Sequence, residues 1–449
     1  MHILFLTQIV PYPPDAGPKI KTWQVLRYLA EIGHQISLAT FVRPEERDHL
    51  PALEKYCSGI YPIAIQRSRL ADIGYWLKSQ FTGRPFLVER DKVPAMSQLV
   101  RDLMSENSID VIHADQITMA QYAMPLMEMD QAVDWKRIVR SKNGNSSDPY
   151  RTGSSIRPGT VFDAHNAVWM IVRRVAETAP VPLRPIIRLE ANRLRRYEGK
   201  IVRAFDHTIT VSESDKQAML EALHVYDQSA DPQNLSPMNR RKPQISVVPI
   251  AVDSSAEEMD WPSNGSSNIL AIGTLHYPPN ADGVRWFANE VLPFVWQDIP
   301  DATLTIVGKN PPRDIQRMER HAGGSIHVTG YVDDLDPYLE KAALMVVPVR
   351  AGGGMRVRIL EGLARGIPMV TTTVGLEGIE AIPEREILVA DEPAEFARSV
   401  VRLIRDEQLR NSLARRGQTL IERKYDRRIA LEPLLQIYGR TAMEADVPA

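Results

Sequence analysis

The sequence predicts an α/β protein of two doubly wound domains, each a parallel sheet with helices on both faces. Three observations carry this expectation. Short apolar runs alternate with helical patterns along the chain, as parallel strands joined by crossover helices require. The 449 residues exceed what one ordinary core encloses. Midway, the polar, proline-bearing tract YDQSADPQNLSPMNRRKPQ (226–244) has the composition of a linker.

Taken in order, MHILFLTQIVPYPP opens with the strand HILFLT. It lacks the basic start of a signal peptide and is broken by proline, so it reads as structure. QISLAT, IYPIAI, DVIHA, TVFDA and HTITVS follow in the first half; ISVVPI, NILAIG, TLTIVG, IHVTGY, LMVVPV, MVTTT and EILVA form the second. The tract SKNGNSSDPYRTGSSIRPG (141–159) interrupts the first half and is expected to be a surface excursion, having little to bury. These signals give domains at 1–225 and 245–425, a linker at 226–244 and a closing segment at 426–449. Met119, Met124 and Met127, at helical spacing, are expected to fill a core.

Charged residues make up 24% of the chain and the net charge is −2, which points away from a nucleic-acid partner. A single cysteine, Cys57, excludes an internal disulfide and fits a reducing cytosol. No run is long and apolar enough to span a bilayer. A soluble, cytoplasmic protein is therefore expected. A peripheral membrane contact stays open through the basic helix RLEANRLRRYEGKIVRAF (188–205), for which a solvated face is the plainer reading.

The stretch VRAGGGMRVRILEGLARGIPMVTTTVGLEGI (349–379) carries the chemistry. A buried strand, LMVVPV, runs into Gly352, Gly353 and Gly354; helical character begins near Arg356, and Gly366 with Pro368 stops it. A glycine loop feeding a helix start offers backbone N–H groups and the positive end of a dipole. With Arg356 and Arg358 alongside, the arrangement suits a phosphate or diphosphate. The bland alternative is a turn with solvated arginines. In doubly wound sheets ligands sit beyond the carboxyl ends of the strands, so other strand-end segments become candidates: PYPPDAGPKI (11–20) with Gly17, HAD (113–115), and DAHN (163–166) with His165. His113 and Asp115 are expected to diverge, so that at most one faces the cleft.

Together with GTLHYPPNADGVRWF (273–287) and HVTGYVDDLDPYLEKAALMVVPV (327–349), the glycine stretch resembles the C-terminal half of retaining GT-B glycosyltransferases of the large family numbered four. VSESD (211–215), SVVPIAVD (246–253) and PYPPDAG are weaker matches in the expected order. The resemblance covers nearly the whole chain, and Gly352 to Glu361 is its most specific part. It implies two Rossmann-like domains facing across a cleft, with a closing helix that crosses back to the first. The implied reaction moves a sugar, with retention, from a nucleotide-diphosphate sugar to a glycan, lipid-linked or small-molecule acceptor. Envelope or exopolysaccharide assembly is the default setting of relatives, and no cofactor is needed beyond the donor. Gly17, Gly273, Gly352, Gly353, Gly354, Met355, Arg356, Val357 and Arg358 would surround the donor, and Glu361 would accept from its ribose. Arg356 and Arg358 would stabilise the leaving diphosphate, with Asp115 or His165 nearest the sugar.

The departures from the pattern matter. Gly353 stands where many relatives carry a first glutamate. Thr274, with Asn280 or Asp282, replaces an arginine and a lysine. HAD puts Asp115 where a histidine is common. Asp334-Leu-Asp336 matches a metal-binding D-x-D, but Asp336 before Pro337 reads as a helix cap, so no metal is expected. Two rival functions stay in view: a catalytically silent sugar-nucleotide-binding subunit, and a nicotinamide-dependent oxidoreductase. The second lacks a G-x-G-x-x-G with its acidic partner.

Overall fold

The computed structural model describes residues 1–128, 157–229, 243–254, 266–321 and 323–444. The expected excursion lies outside these up to residue 156, as do residues 230–242 of the expected linker and the side chain of Met127. The chain divides into two units, Met1–Pro249 with Leu431–Ala449, and Ile250–Ala430.

The first unit holds a sheet of seven parallel strands: β1 (His2–Thr7), β2 (Gln35–Val42), β3 (Gly59–Ala64), β4 (Val111–Asp115), β5 (Gly159–Ala164), β6 (His207–Thr210) and β7 (Gln244–Val247). Their order is β3-β2-β1-β4-β5-β6-β7. Ile3, Leu4, Phe5 and Leu6 are wholly buried, the continuous apolar run that a strand covered on both faces needs. Helices used below are α1 (Gly17–Glu31), α2 (Arg69–Thr82), α3 (Ile117–Glu128), α4 (Val168–Thr178), α5 (Arg184–Ala204) and α6 (Glu213–Ser229). Met119 and Met124 are buried in the core as expected.

The second unit has six parallel strands: β8 (Asn268–Ile272), β9 (Thr303–Val307), β10 (Ile326–Gly330), β11 (Leu344–Val347), β12 (Met369–Thr371) and β13 (Leu388–Val389). Their order is β10-β9-β8-β11-β12-β13. Helices α7 (Pro278–Trp286) and α8 (Val357–Ala364) follow β8 and β11. Phe396 packs edge-on against both Trp286 and Phe287 in the core.

Two boundaries differ from expectation. ISVVPI, read as the start of the second domain, supplies β7 and pairs with β6, Thr210 opposite Val247. The first unit therefore runs to Pro249 rather than 225, and residues 226–229 finish α6 rather than opening a linker. Composition marks a polar tract, but which sheet a strand joins is decided by pairing with residues distant in sequence. At the other end the break falls after Ala430, not after 425.

The closing helix α9 (Pro433–Glu444) packs within the first unit. Its Tyr438 hydroxyl lies 2.6 Å from His113 Nδ1, and the imidazole stacks on Phe5 at 4.0 Å. A Cβ at Gly159 would come within 2.5 Å of Thr441, so glycine there lets helix and sheet approach.

Two buried imidazoles tie the stability of this unit to pH. Burial pushes His113 and His207 down from 6.5 to about 4. Unfolded, both take a proton as pH drops below 6.5; folded, they resist until about 4. Their contribution is present above 6.5 and drains away as pH falls toward 4. Each full shift represents on the order of 3 kcal/mol. Glu198, raised by burial to about 8, works in the opposite sense, so the test is the difference between parent and variant. Between about pH 6.5 and about pH 4 His207→Gln should lose less melting temperature than the parent, and an unchanged slope in the variant would remove the assignment.

Candidate functional site

Each sheet reverses its winding at one point, and the crevice beyond the strand ends there is the natural ligand position. In the first unit this point lies between β1 and β4. Asp115 ends β4 and is completely buried. Thr22 of α1 donates its hydroxyl to Asp115 Oδ2 at 3.0 Å, and His165 Nε2 lies 2.8 Å from Oδ1. The two candidates between which the sequence left the choice open are thus one hydrogen-bonded pair.

Asp163 on β5 stands opposite Asp115 in register. Neither of its carboxylate oxygens has a hydrogen-bond partner among the described residues. Its counter-charge is Lys21 Nζ at 3.8 Å, which also donates to the Val248 carbonyl at 2.9 Å. Burial lowers the Lys21 pKa, against the pull of Asp163 and Asp115. Burial also pulls His165 down, but the charge and hydrogen bond of Asp115 outweigh it, and the imidazole ends above 6.5. Its Nδ1 has no partner among the described residues, so the ring has one position left for a hydrogen bond. Side-chain atoms of His113, Asp115 and Asp163 lie within 4.8 Å of one another, close enough to hold a cation, and the Lys21 ammonium supplies positive charge there.

The expected divergence of His113 and Asp115 is incorrect. Residues two apart on a strand share a face, and both point toward Asp163. Gly17, a candidate donor contact, is the first residue of α1, followed by Pro18, and takes no positive φ.

In the second unit the reversal lies between β8 and β11. Gly273 follows β8 and donates to the Val307 carbonyl at 3.0 Å. Of the residues standing in for the absent arginine and lysine, Asn280 Nδ2 donates to the Thr274 carbonyl at 3.2 Å. Asp282 instead holds a cation that the sequence reading passed over. Arg350 grips it through Nε and Nη2 at 3.0–3.2 Å, with its guanidinium 5.5 Å from the Trp286 ring centre.

The loop after β11 needs glycine at Gly352 and Gly354, where φ is 111° and 84°; Gly353 takes no positive φ. Arg356 is the N-cap residue of α8, and its Nη1 donates to the carbonyls of Gly353 at 2.6 Å and Gly354 at 2.8 Å. The expected diphosphate ligand thus also braces the loop. Met355 and Val357 are buried, which leaves only their backbone for a ligand. A Cβ on Gly352 would lie 3.3 Å from Arg356 Nη2 and 3.5 Å from Pro279, so this loop meets the start of α7 at the reversal point. Glu361, the implied ribose ligand, already has a partner: Arg358 Nη1 lies 2.7 Å from its Oε2, one helical turn away.

The D-x-D segment does not cap its helix as expected, because the N-cap position falls on Leu335. Asp334 Oδ1 accepts from the Asp336 N–H at 3.0 Å, and Asp336 is itself the first residue of the short helix Asp336–Leu339. Lys21, Thr22, Tyr438 and Arg350 were not singled out from sequence. Only Arg350, directly after a strand at the edge of the glycine run, carried a local signal.

The Lys21–Asp163 pair permits a stability test. Removing one partner of a buried pair leaves an uncompensated charge and typically costs about 3–5 kcal/mol. Lys21→Met should lose that much in urea titrations, and adding Asp163→Asn should recover more than half. Equal losses in the single and double variants would show that the two side chains do not compensate each other.

Residues 266–406 match the family model Glycosyl transferases group 1. Over 165 residues the chain is 24% identical to the uncharacterized 44.6 kDa protein in the cps region of Klebsiella pneumoniae, a match covering 35% of this chain and 42% of that protein. Among solved structures it resembles sucrose-phosphate synthase from Thermosynechococcus elongatus, with a TM-score of 0.66 and 15% identity over 99% of this chain and 100% of the other. It also resembles Anabaena HepE in complex with UDP-glucose, with a TM-score of 0.62 and 14% identity over 98% of this chain and 100% of the other. The chain is an α/β protein of the GT-B glycosyltransferase fold whose residues 266–406 match glycosyl transferases group 1.

Proposed function

We propose that the protein is a retaining glycosyltransferase that takes a sugar from a nucleotide-diphosphate donor and passes it to a glycan, lipid-linked or small-molecule acceptor. The observation that carries the reading is the loop Gly352–Arg356 at the reversal point of the second sheet. Left-handed glycines and a helix start meet there, with Arg350 before the glycines, Arg356 bracing them and Arg358 on the first turn of α8. UDP-glucose bound to the similar HepE supports a nucleotide-sugar donor. The relative in a cps region supports polysaccharide assembly as the setting, with the protein at work in the cytoplasm.

The chemistry needs no covalent helper on this reading. Departure of the diphosphate builds negative charge on its oxygens, and donors already in place stabilise that charge better than water does. Backbone N–H groups at the start of α8, with Arg356 and Arg358, fill that role. Glu361 keeps Oε2 on Arg358 and offers Oε1 to the ribose. The acceptor hydroxyl attacks on the face the diphosphate leaves and passes its proton to the departing phosphate oxygen. In the first unit His165, oriented by Asp115, keeps Nδ1 for a hydrogen bond to a hydroxyl. Permanent guanidinium charge takes the place a divalent ion would have, so turnover is metal-independent. The inward fold of Arg356 and the glycine at 353 favour one alternative, a subunit that binds sugar nucleotide without turnover. Release of nucleoside diphosphate in the presence of acceptor extracts separates the two.

Glu361→Gln should weaken nucleoside-diphosphate binding by roughly 1–3 kcal/mol in calorimetry while the fold persists. Unchanged affinity would leave Glu361 as the partner of Arg358 only. Arg358→Ala should lower kcat by roughly a hundredfold, as removal of one oxyanion donor does. Arg356→Ala should lower kcat similarly and raise KM as well, because its loop loses a brace. Excess EDTA should leave turnover intact. Activity abolished by EDTA and restored by magnesium or manganese, with near-normal arginine variants, would refute this account of the loop.

A further inference from the structure

The first unit carries a face that sugar transfer does not explain. Helix α2 turns Leu70, Ile73, Leu77 and Phe81 outward, 81, 57, 48 and 90% exposed, with Trp76 beside them. An amphipathic helix ordinarily packs such a stripe into a core, yet the one buried residue of α2 is Ser79. Helix α5 lies alongside. Arg193 donates to Gln80 at 3.0 Å, and Glu190 accepts from the Phe86 N–H at 2.6 Å. The start of α5 and the turn before it add exposed Val181, Leu183, Ile186 and Leu189. Two elements joined by these hydrogen bonds thus each turn apolar side chains to solvent, more than scattered exposed residues would make.

The charge around it is mostly basic, with three of its cations paired: Arg193 with Glu190, Arg195 with Glu221 and Arg203 with Asp227. The whole chain carries a net charge of −2, but α5 holds seven arginines and lysines against two glutamates. Beside the apolar stripe opens a cavity of about 500 Å³ lined by Arg84, Arg193, Arg196 and Lys200 with Tyr197 and Tyr226. No carboxylate is among its described lining residues. No helix among the described residues is long and apolar enough to cross a membrane.

We propose that this face docks on an anionic lipid bilayer, with the exposed side chains of α2 and α5 entering the interface and the arginine-lined cavity taking a lipid phosphate. Apolar side chains ringed by cations are what an anionic interface selects, and Trp76 sits where an aromatic ring prefers the headgroup level. A second copy of the chain fits worse, because a two-fold contact would set this basic face against itself. On the glycosyl-transfer reading above, an enzyme seated in this way meets an acceptor carried in the membrane. The docking itself does not depend on turnover.

The test is sedimentation of the full chain with phosphatidylcholine vesicles and with vesicles of phosphatidylcholine and phosphatidylglycerol, without donor. Partition onto the anionic vesicles should be at least tenfold above the neutral ones. It should fall at least tenfold in Leu77→Ser/Phe81→Ser and in Arg188→Glu/Arg196→Glu, both keeping the parental melting curve. Inorganic phosphate should displace the protein more than chloride at equal ionic strength. The proposal is overturned by equal partition onto the two lipids, by variants that bind like the parent, or by a concentration-dependent dimer that Leu77→Ser/Phe81→Ser abolishes. Thermal stabilisation by inorganic phosphate without vesicle binding would also overturn it, assigning the cavity to a soluble anion. Because no donor is present, failure here leaves the glycosyl-transfer reading standing.

Discussion

An ammonium, two carboxylates and an imidazole balance one another in the dry centre of the first unit, and most of that unit is arranged to keep them there. Lys21 comes from the helix after β1, Asp115 and Asp163 from the ends of adjacent strands, and His165 from the loop beyond. The Val248 carbonyl, just past β7, completes the ammonium's partners. Isolated charges at such depth are untenable. The elements that carry them must therefore stay in register, and the same constraint holds the His165–Asp115 pair in one orientation.

The second unit meets a similar need in the opposite way. Its cations are partly exposed and tied to nearby acceptors: Arg350 to Asp282, Arg356 to loop carbonyls, Arg358 to Glu361. Water shields these pairs, so each contributes little to stability and can be exchanged for a ligand's oxygens at small cost. One unit offers fixed geometry, the other replaceable partners. On the proposed glycosyl-transfer reading, replaceable partners are what a loop needs if it must both grip and release a charged leaving group.

Much of the fold was legible because parallel strands buried on both faces write themselves as apolar runs, and every run read as a strand is one. What local sequence could not supply was partnership at long range. ISVVPI looked like its neighbours in the second half, yet β6 claims it. Tyr438 sits 325 positions from the imidazole it meets. At the site, the glycines and the start of α8 were readable from torsional need and helix grammar. The inward fold of Arg356 was not, because an arginine's reach leaves its target open. Asp115 was found and misjudged: two residues along a strand were read as diverging when the pleat puts them together.

The return of α9 to the first unit sets an order of events during synthesis. Residues 250–430 are all made before Pro433–Glu444 emerges. Until then His113 lacks its hydroxyl partner, and the surface around Gly159 lacks its cover. The second unit, contiguous in the chain, can finish folding while the first still waits for its last helix. Domains commonly fold from the N-terminus as they are made; here the unit begun first is completed last, and its sheet stays partly uncovered for the time it takes to translate everything between.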